Sequence, residues 1–374
     1  MTIAVNAGFP DFYSTGNDAH FIIECFSRLA LRYPQHQFIY IFDKAFDTVN
    51  IASKNSTPVV IGLPAKNPLL LQYWFNYKIP ALLRKHKVDV FVSAGGYCSL
   101  RSKVPQCLII NDLSFLHHPQ LFTRSWLRFY KSNTVKFLTK AKTIVSHSQF
   151  LKKEIITHYK IADDKISVAY HGIGENFTAI GWQQKDAVKQ THTQGLEYFL
   201  YSGPIHPQQN LMALLKAFSF FKKRQKSNMQ LVIASTTKTN DAAFIKSLAS
   251  FKYRKEVKLL EHVPDASMTA ITAAAYAVVY TPIGEGFGWS LTEAMYSDVP
   301  VITSRTGTNV EICGDAALYV NPNDFNDIAD KMMLLFKDEN MRNKLIAKGR
   351  QQAGLYNWNK TIAVVWDALL KCTS

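Results

Sequence analysis

Residues 281–295 read Thr-Pro-Ile-Gly-Glu-Gly-Phe-Gly-Trp-Ser-Leu-Thr-Glu-Ala-Met. The apolar run Ala277–Tyr280 before them predicts a strand, and a helix is predicted to start near Ser290. Gly284, Gly286 and Gly288 let backbone amides approach a ligand closely and adopt positive φ. The helix start offers unpaired N–H groups and a partial positive charge, a setting for a phosphate. Glu285 and Glu293 are two carboxylates beside that anion site. They make sense if they accept hydrogen bonds from hydroxyls, which a sugar and a ribose supply. A plain glycine-rich turn is the structural alternative, with Glu293 favouring the helix dipole.

Outward from this stretch, apolar runs alternate with amphipathic stretches over most of the 374 residues, the pattern of βα units around parallel sheets. Before it, strands are expected at Ile3–Asn6, Phe38–Phe42, Val59–Ile61, Val88–Val92, Cys107–Ile110, Thr143–Ser146 and Ile166–Ala169. Helices are expected between several of them, including about Pro68–Lys85 and Ser125–Lys140. The pattern lapses from Gly172 to Gly195 and restarts at Tyr198–Tyr201. It then runs through Gln230–Ala234, Val257–Leu260, Ala277–Tyr280 and Val299–Thr303 to three closing helices. The expected fold class is α/β, with two Rossmann-like doubly wound domains facing a central cleft. The expected boundaries are 1–175, a linker at 176–195, a second domain at 196–356, and a last helix at 357–374 returning to the N-terminal domain.

Composition narrows the function. Hydrophobic residues make up 47% and charged residues 19%, which excludes a disordered or coiled-coil chain. The longest nearly apolar run, Ala270–Tyr280, is too short to span a bilayer. The start, MTIAVNAGF, carries no basic leader. A soluble, cytoplasmic protein is expected, with an option of residing at the inner face of the membrane. The five cysteines are dispersed and read as reduced thiols, not as a zinc site or disulfide frame. The net charge of +15 is concentrated early, with 21 basic and 11 acidic residues before residue 180. Such a field suits phosphorylated substrates, anionic lipid or nucleic acid. The interleaved bases and aromatics of Arg124–Lys131 come with no nucleic-acid-binding motif, so no nucleic-acid partner is expected. Tyr73, Trp74 and Tyr77, with Leu69–Leu71 and Ile79, predict an amphipathic helix suited to core packing or to peripheral membrane contact.

In this company the quoted stretch resembles the retaining family 4 (group 1) glycosyltransferases of the GT-B fold. The resemblance rests on Glu285-Gly-Phe-Gly…Glu293-Ala-Met, Val299-Pro-Val-Ile, Glu311 and Gly314-Asp-Ala-Ala-Leu. Tyr198-Phe-Leu-Tyr-Ser-Gly, Asn111-Asp-Leu-Ser-Phe-Leu-His-His-Pro, Ile144-Val-Ser-His-Ser and Tyr170-His-Gly-Ile follow the family's order. It implies transfer of a sugar from a nucleotide-diphosphate donor to a glycan or lipid-linked acceptor, in cell-surface polysaccharide synthesis. Glu285 would contact the donor sugar near its anomeric centre, and Glu293 the ribose. Amides of Gly286, Phe287, Gly288, Trp289, Ser290 and Leu291 would cradle sugar and phosphates. His262 and Val263 would line the base pocket, and Gly16 would bring backbone to the diphosphate. Asn111 stands where the family often has a histidine and would bond a donor hydroxyl. The family needs no bound metal or other cofactor, and no D-x-D motif is present.

One departure stands out. Where the family carries an Arg-Lys pair that neutralises the donor diphosphate, this chain has Gln208-Gln209. Glutamine donates hydrogen bonds but no charge, and losing one transition-state donor commonly costs ~10²–10³ in rate. His206 or Arg305 could supply the missing cation, or a different leaving group could be used. The departure also motivates a second reading, an impaired or non-catalytic relative acting as a binding or scaffold subunit. A sugar-nucleotide epimerase of the same fold is disfavoured, because its His and acid constellation is not evident.

Overall fold

The structure, a computed structural model, describes residues 1–8, 17–43, 53–62, 67–174, 176–239, 241–284 and 287–373; the side chains of 17–19 are outside this description. The chain divides into two compact units, Met1–Gly172 with Asn357–Ser374, and Ile173–Tyr356.

The first unit holds β1 (Thr2–Asn6), β2 (Gln37–Phe42), β3 (Ser56–Val60), β4 (Val90–Ser93), β5 (Gln106–Ile110), β6 (Thr143–Ser146) and β7 (Ile166–Val168). They form one sheet in the order β3-β2-β1-β4-β5-β6-β7, with every pairing parallel. The inner strands β4, β5 and β6 are buried along their whole length. This explains why they read as continuous apolar runs and not as alternation. Asn17–Arg32, Arg124–Lys140 and Gln149–Tyr159 are among the connecting helices.

The helix expected over Pro68–Lys85 is interrupted. Pro68–Tyr73 and Ile79–Lys85 are α-helical, and Trp74–Lys78 forms a π-turn. Pro80 explains the break, since it has no N–H to donate and its ring crowds the carbonyl one turn earlier. The Ile79 N–H bonds Trp74 O instead. The turn buries Leu71, Trp74, Phe75 and Ile79 and leaves Leu69, Tyr73 and Tyr77 exposed.

The second unit holds β8 (Tyr198–Ser202), β9 (Gln230–Ala234), β10 (Val257–Leu260), β11 (Ala277–Tyr280), β12 (Val301–Ser304) and β13 (Ala317–Val320). Their order is β10-β9-β8-β11-β12-β13, again parallel throughout. The segment expected to be a linker, 176–195, is not extended chain. It carries the helix Trp182–Thr193, opened by the Gly181 N–H donating to Gln184 Oε1 at 3.1 Å. Thr193 is its one buried residue, so the helix has almost no apolar stripe for periodicity to reveal. The edge strand β13 and the helix Gly307–Cys313 also escaped the sequence reading.

The last helix, Trp358–Thr373, packs within the first unit. Thr143 Oγ1 donates to Ala368 O at 3.1 Å, and Trp366 stacks on Tyr33 with ring centroids 3.9 Å apart. A side chain at Gly172 would meet the ring and backbone nitrogen of Trp358 at 2.5 Å. Thr361 Oγ1 donates to Tyr170 O at 2.6 Å. All five cysteines are free and buried.

Candidate donor site at the strand ends of the second unit

In the second sheet the order of connection reverses between β8 and β11. The carboxyl ends of strands at such a switch point are where open α/β sheets bind ligands. Three loops meet there. Gln208 Nε2 donates to Gly284 O at 2.8 Å, and Ile283 N donates to Gln208 O at 3.0 Å. The loop after β8 is thereby laced to the loop after β11. Asn210, in a left-handed conformation (φ 61°), donates from Nδ2 to Thr281 O at 3.1 Å and Pro322 O at 2.7 Å. Ser304 Oγ closes the third side with a 2.6 Å bond to Pro282 O.

The helix Trp289–Tyr296 starts from this frame. Gly288 caps it at φ 69° with no side-chain hydrogen bond. A Cβ there would lie 2.9 Å from Leu291 Cδ1 and 3.2 Å from Asn309 Oδ1. Ser290 Oγ donates to Ser202 O at 2.5 Å, anchoring the first turn to the end of β8. Phe287, Trp289, Ser290 and Leu291 are all buried. Their side chains are committed to the interior, so the turn presents backbone to a ligand. The first N–H groups of a helix have no partner inside it, which favours an anion at this place.

Glu293 lies in the second turn of this helix and is half-buried. Desolvation pushes its carboxyl up to about 8, and the nearby Asp265 carboxylate adds to the rise. A carboxyl so perturbed at the carboxyl ends of the strands is a candidate functional position. Val263 is buried and His262 exposed, at the carboxyl end of β10. Val263 N donates to Ser235 O at 3.0 Å, next to the end of β9.

Gln208 and Gln209, where the resemblance leads to the expectation of Arg-Lys, are both buried. Gln208 braces Gly284. Of the two alternative cations, His206 is committed within the frame and Arg305 is exposed. Burial holds His206 below the ordinary histidine range, and its Nδ1 accepts from Gln208 N at 3.3 Å, capping the turn Pro207–Gln209. The Arg305 guanidinium lies over the Tyr319 ring, 5.2 Å from its centroid. Asn111, at the end of β5, belongs to the first unit. Glu285, Gly286 and Gly16 lie outside the described residues.

Sequence reasoning missed the braces: Asn210, Ser202, Ser304 and Asn309. The last is fully buried, with Nδ2 donating to Thr303 Oγ1 at 3.0 Å. A signal for the serines was present, since β4, β6, β8 and β12 all end in Ser.

Comparison with known proteins agrees with this geometry. Residues 31–176 match the family described as Glycosyltransferase Family 4, and residues 183–352 match Glycosyl transferases group 1. The chain belongs to this glycosyltransferase family. The glycosyltransferase is 26% identical over 249 residues to the O-antigen chain mannosyltransferase B of Escherichia coli. That match spans 66% of this chain and 65% of the relative, about two thirds of its length. Its fold is that of WaaG, a glycosyltransferase involved in lipopolysaccharide biosynthesis (TM-score 0.77, 13% identity, 98% of each chain). Anabaena HepE, solved with UDP and glucose, shares it too (TM-score 0.76, 14% identity, 99% of each chain). The two Rossmann-like sheets are therefore the units of a GT-B glycosyltransferase. No helix among its described residues is long and apolar enough to cross a membrane.

Proposed function

We propose that this glycosyltransferase moves a sugar, with retention of anomeric configuration, from a nucleotide-diphosphate donor to a glycan or lipid-linked acceptor in cell-surface polysaccharide assembly. The observation that carries the reading is the laced frame at the ends of β8, β11 and β12, from which a helix starts at Gly288 without a side-chain cap on its first amides. The surface-glycan setting draws on the E. coli relative's name and the WaaG title. The nucleotide-sugar donor draws on the UDP and glucose bound by HepE.

In this reading the backbone from Gly286 to Leu291 receives the diphosphate and stabilises the charge that grows on it as the glycosidic bond breaks. Glu285 holds hydroxyls of the donor sugar. A carboxyl oxygen of Glu293 accepts from the ribose, and His262 and Val263 flank the base. Gly16 brings backbone of the first unit toward the diphosphate, and Asn111 bonds a donor hydroxyl. Transfer proceeds without a metal or other cofactor, because fixed amides take the part a cation would play. The acceptor returns on the face the leaving group vacates, with no protein nucleophile.

The protein works in the cytoplasm against the membrane's inner face. Exposed Tyr73 and Tyr77 stack at 5.2 Å, Arg101 sits 4.2 Å over the Tyr77 ring, and Leu69 is 78% exposed. Aromatic and basic groups so grouped suit a lipid headgroup layer.

Thermal shift with UDP, GDP and ADP, followed by mass spectrometry of products from mannose and glucose nucleotides, tests the proposal. A raised melting temperature with one nucleotide and a transferred sugar are expected, since a ligand that binds only the folded state stabilises it. Unmoved melting curves at millimolar nucleotide would hand the case to the scaffold-subunit reading.

A further inference from the structure

The first unit carries a compact set of nitrogen and oxygen donors apart from the frame at the strand ends of the second unit. His117 Nε2 lies 2.7 Å from Glu154 Oε2, and His158 Nε2 lies 3.7 Å from Glu154 Oε1. All three donor atoms fall within 4.8 Å of one another. We propose that His117, Glu154 and His158 bind a divalent ion of the late first transition row, with Zn²⁺ the best fit.

The donor set narrows the choice of ion. Two imidazoles and one carboxylate suit Zn²⁺ and leave a position for water, whereas Mg²⁺ and Ca²⁺ call for more oxygens. Glu154 and His158 are four residues apart on the helix Gln149–Tyr159, so they share a face. His117 comes from the end of the short helix Ser114–His117. Tetrahedral zinc with bonds of about 2.0–2.1 Å places neighbouring ligand atoms roughly 3.3 Å apart. The two separations, measured to different oxygens of Glu154, lie on either side of that value, and the three ligand atoms all lie within 4.8 Å of one another, so side-chain rotation draws them into one shell. The imidazoles are accessible, with side chains 46% and 41% exposed, while Glu154 at 14% forms the floor. The nearby cation Lys152 is engaged elsewhere. It pairs with Asp163 at 3.0 Å and donates to Ile166 O at 2.9 Å.

A bound ion ties the segment that begins at Asn111 to the helix after β6. It is a clamp on the first unit and takes no part in the transfer step.

The test uses the full chain stripped of metal by a chelator. Isothermal titration with ZnCl₂ is expected to give one ion per chain, and Zn²⁺ a higher melting temperature than metal-free protein. CoCl₂ in its place is expected to give the visible absorption of low-coordinate cobalt. His117→Ala, His158→Ala and the near-isosteric Glu154→Gln should each weaken Zn²⁺ binding by at least about tenfold, with metal-free melting curves showing that each variant is folded. His86→Ala, a control histidine, should bind as the parent does. No saturable binding up to millimolar Zn²⁺, or undiminished binding by a folded His117→Ala, His158→Ala double variant, overturns the proposal.

Discussion

The side-chain amide of Gln208 donates a 2.8 Å hydrogen bond to the carbonyl oxygen of Gly284. Where the family resemblance leads to the expectation of a cation, this chain places a brace. Gln208→Ala leaves that carbonyl without its donor, which costs about 1–3 kcal/mol for a buried group. Lower stability and weaker nucleotide binding, both read by thermal shift, are the expected outcome. Unchanged nucleotide binding would show that the brace does not shape the donor loop.

Gln209 is 1% exposed, so a lysine there must desolvate its charge. Gln209→Lys should therefore melt below the parent when ligand-free. If the diphosphate lies close by, it should recover more stability from UDP or GDP than the parent does. Equal ligand-induced shifts in the two proteins would place the diphosphate elsewhere.

Glu293 ties stability to pH. Its carboxyl is pushed up to about 8 in the folded chain, against about 4.3 when unfolded. The folded state binds this proton more tightly. The associated stability is full below the unfolded value and is lost as pH climbs through about 8. Glu293→Gln should flatten that decline, melting above the parent near pH 8 by on the order of 1–2 kcal/mol after allowance for solvent screening. The same variant should bind nucleotide less well if the carboxylate accepts from the ribose. Parallel melting profiles from pH 5 to 9 would refute the linkage.

Gly288 sits at φ 69°, and a Cβ there would press on Leu291 and Asn309. Gly288→Ala should cost about 1–3 kcal/mol from backbone strain and disturb the first helical turn. A larger proportional loss in nucleotide affinity than in stability is expected from titration calorimetry.

The exposed pair Tyr73 and Tyr77 can be removed without touching the core. The double variant Tyr73→Ser, Tyr77→Ser should keep the parent's melting temperature within about 1 kcal/mol of stability. It should sediment less with vesicles rich in anionic lipid. Equal sedimentation would remove this face from the membrane.

Much of the fold was legible because buried parallel strands write themselves as short apolar runs. Val90–Ser93 and Ala277–Tyr280 could hardly be anything else. The half-exposed edge strand β13 and the polar helix Trp182–Thr193 were illegible for the same reason, since neither buries a continuous apolar face. The π-turn before Pro80 left a trace in the proline but not in the hydrophobic period. At the donor site the glycines and Glu293 could be read locally. The Gln208–Gly284 and Ser290–Ser202 bonds could not, because no local pattern encodes partners 76 and 88 residues apart. His117 and Glu154, 37 apart, were hidden likewise.

Gly172 lies against the backbone nitrogen of Trp358, while everything from Ile173 to Tyr356 forms the second unit. In genetic terms the second unit is a cassette spliced into one site of a host domain. The host's cut ends already adjoin, so about two glycines should rejoin them and let it fold without the insert. On the proposed reading, donor choice would then be exchanged between relatives by swapping one contiguous fragment, leaving the first unit and its closing helix untouched.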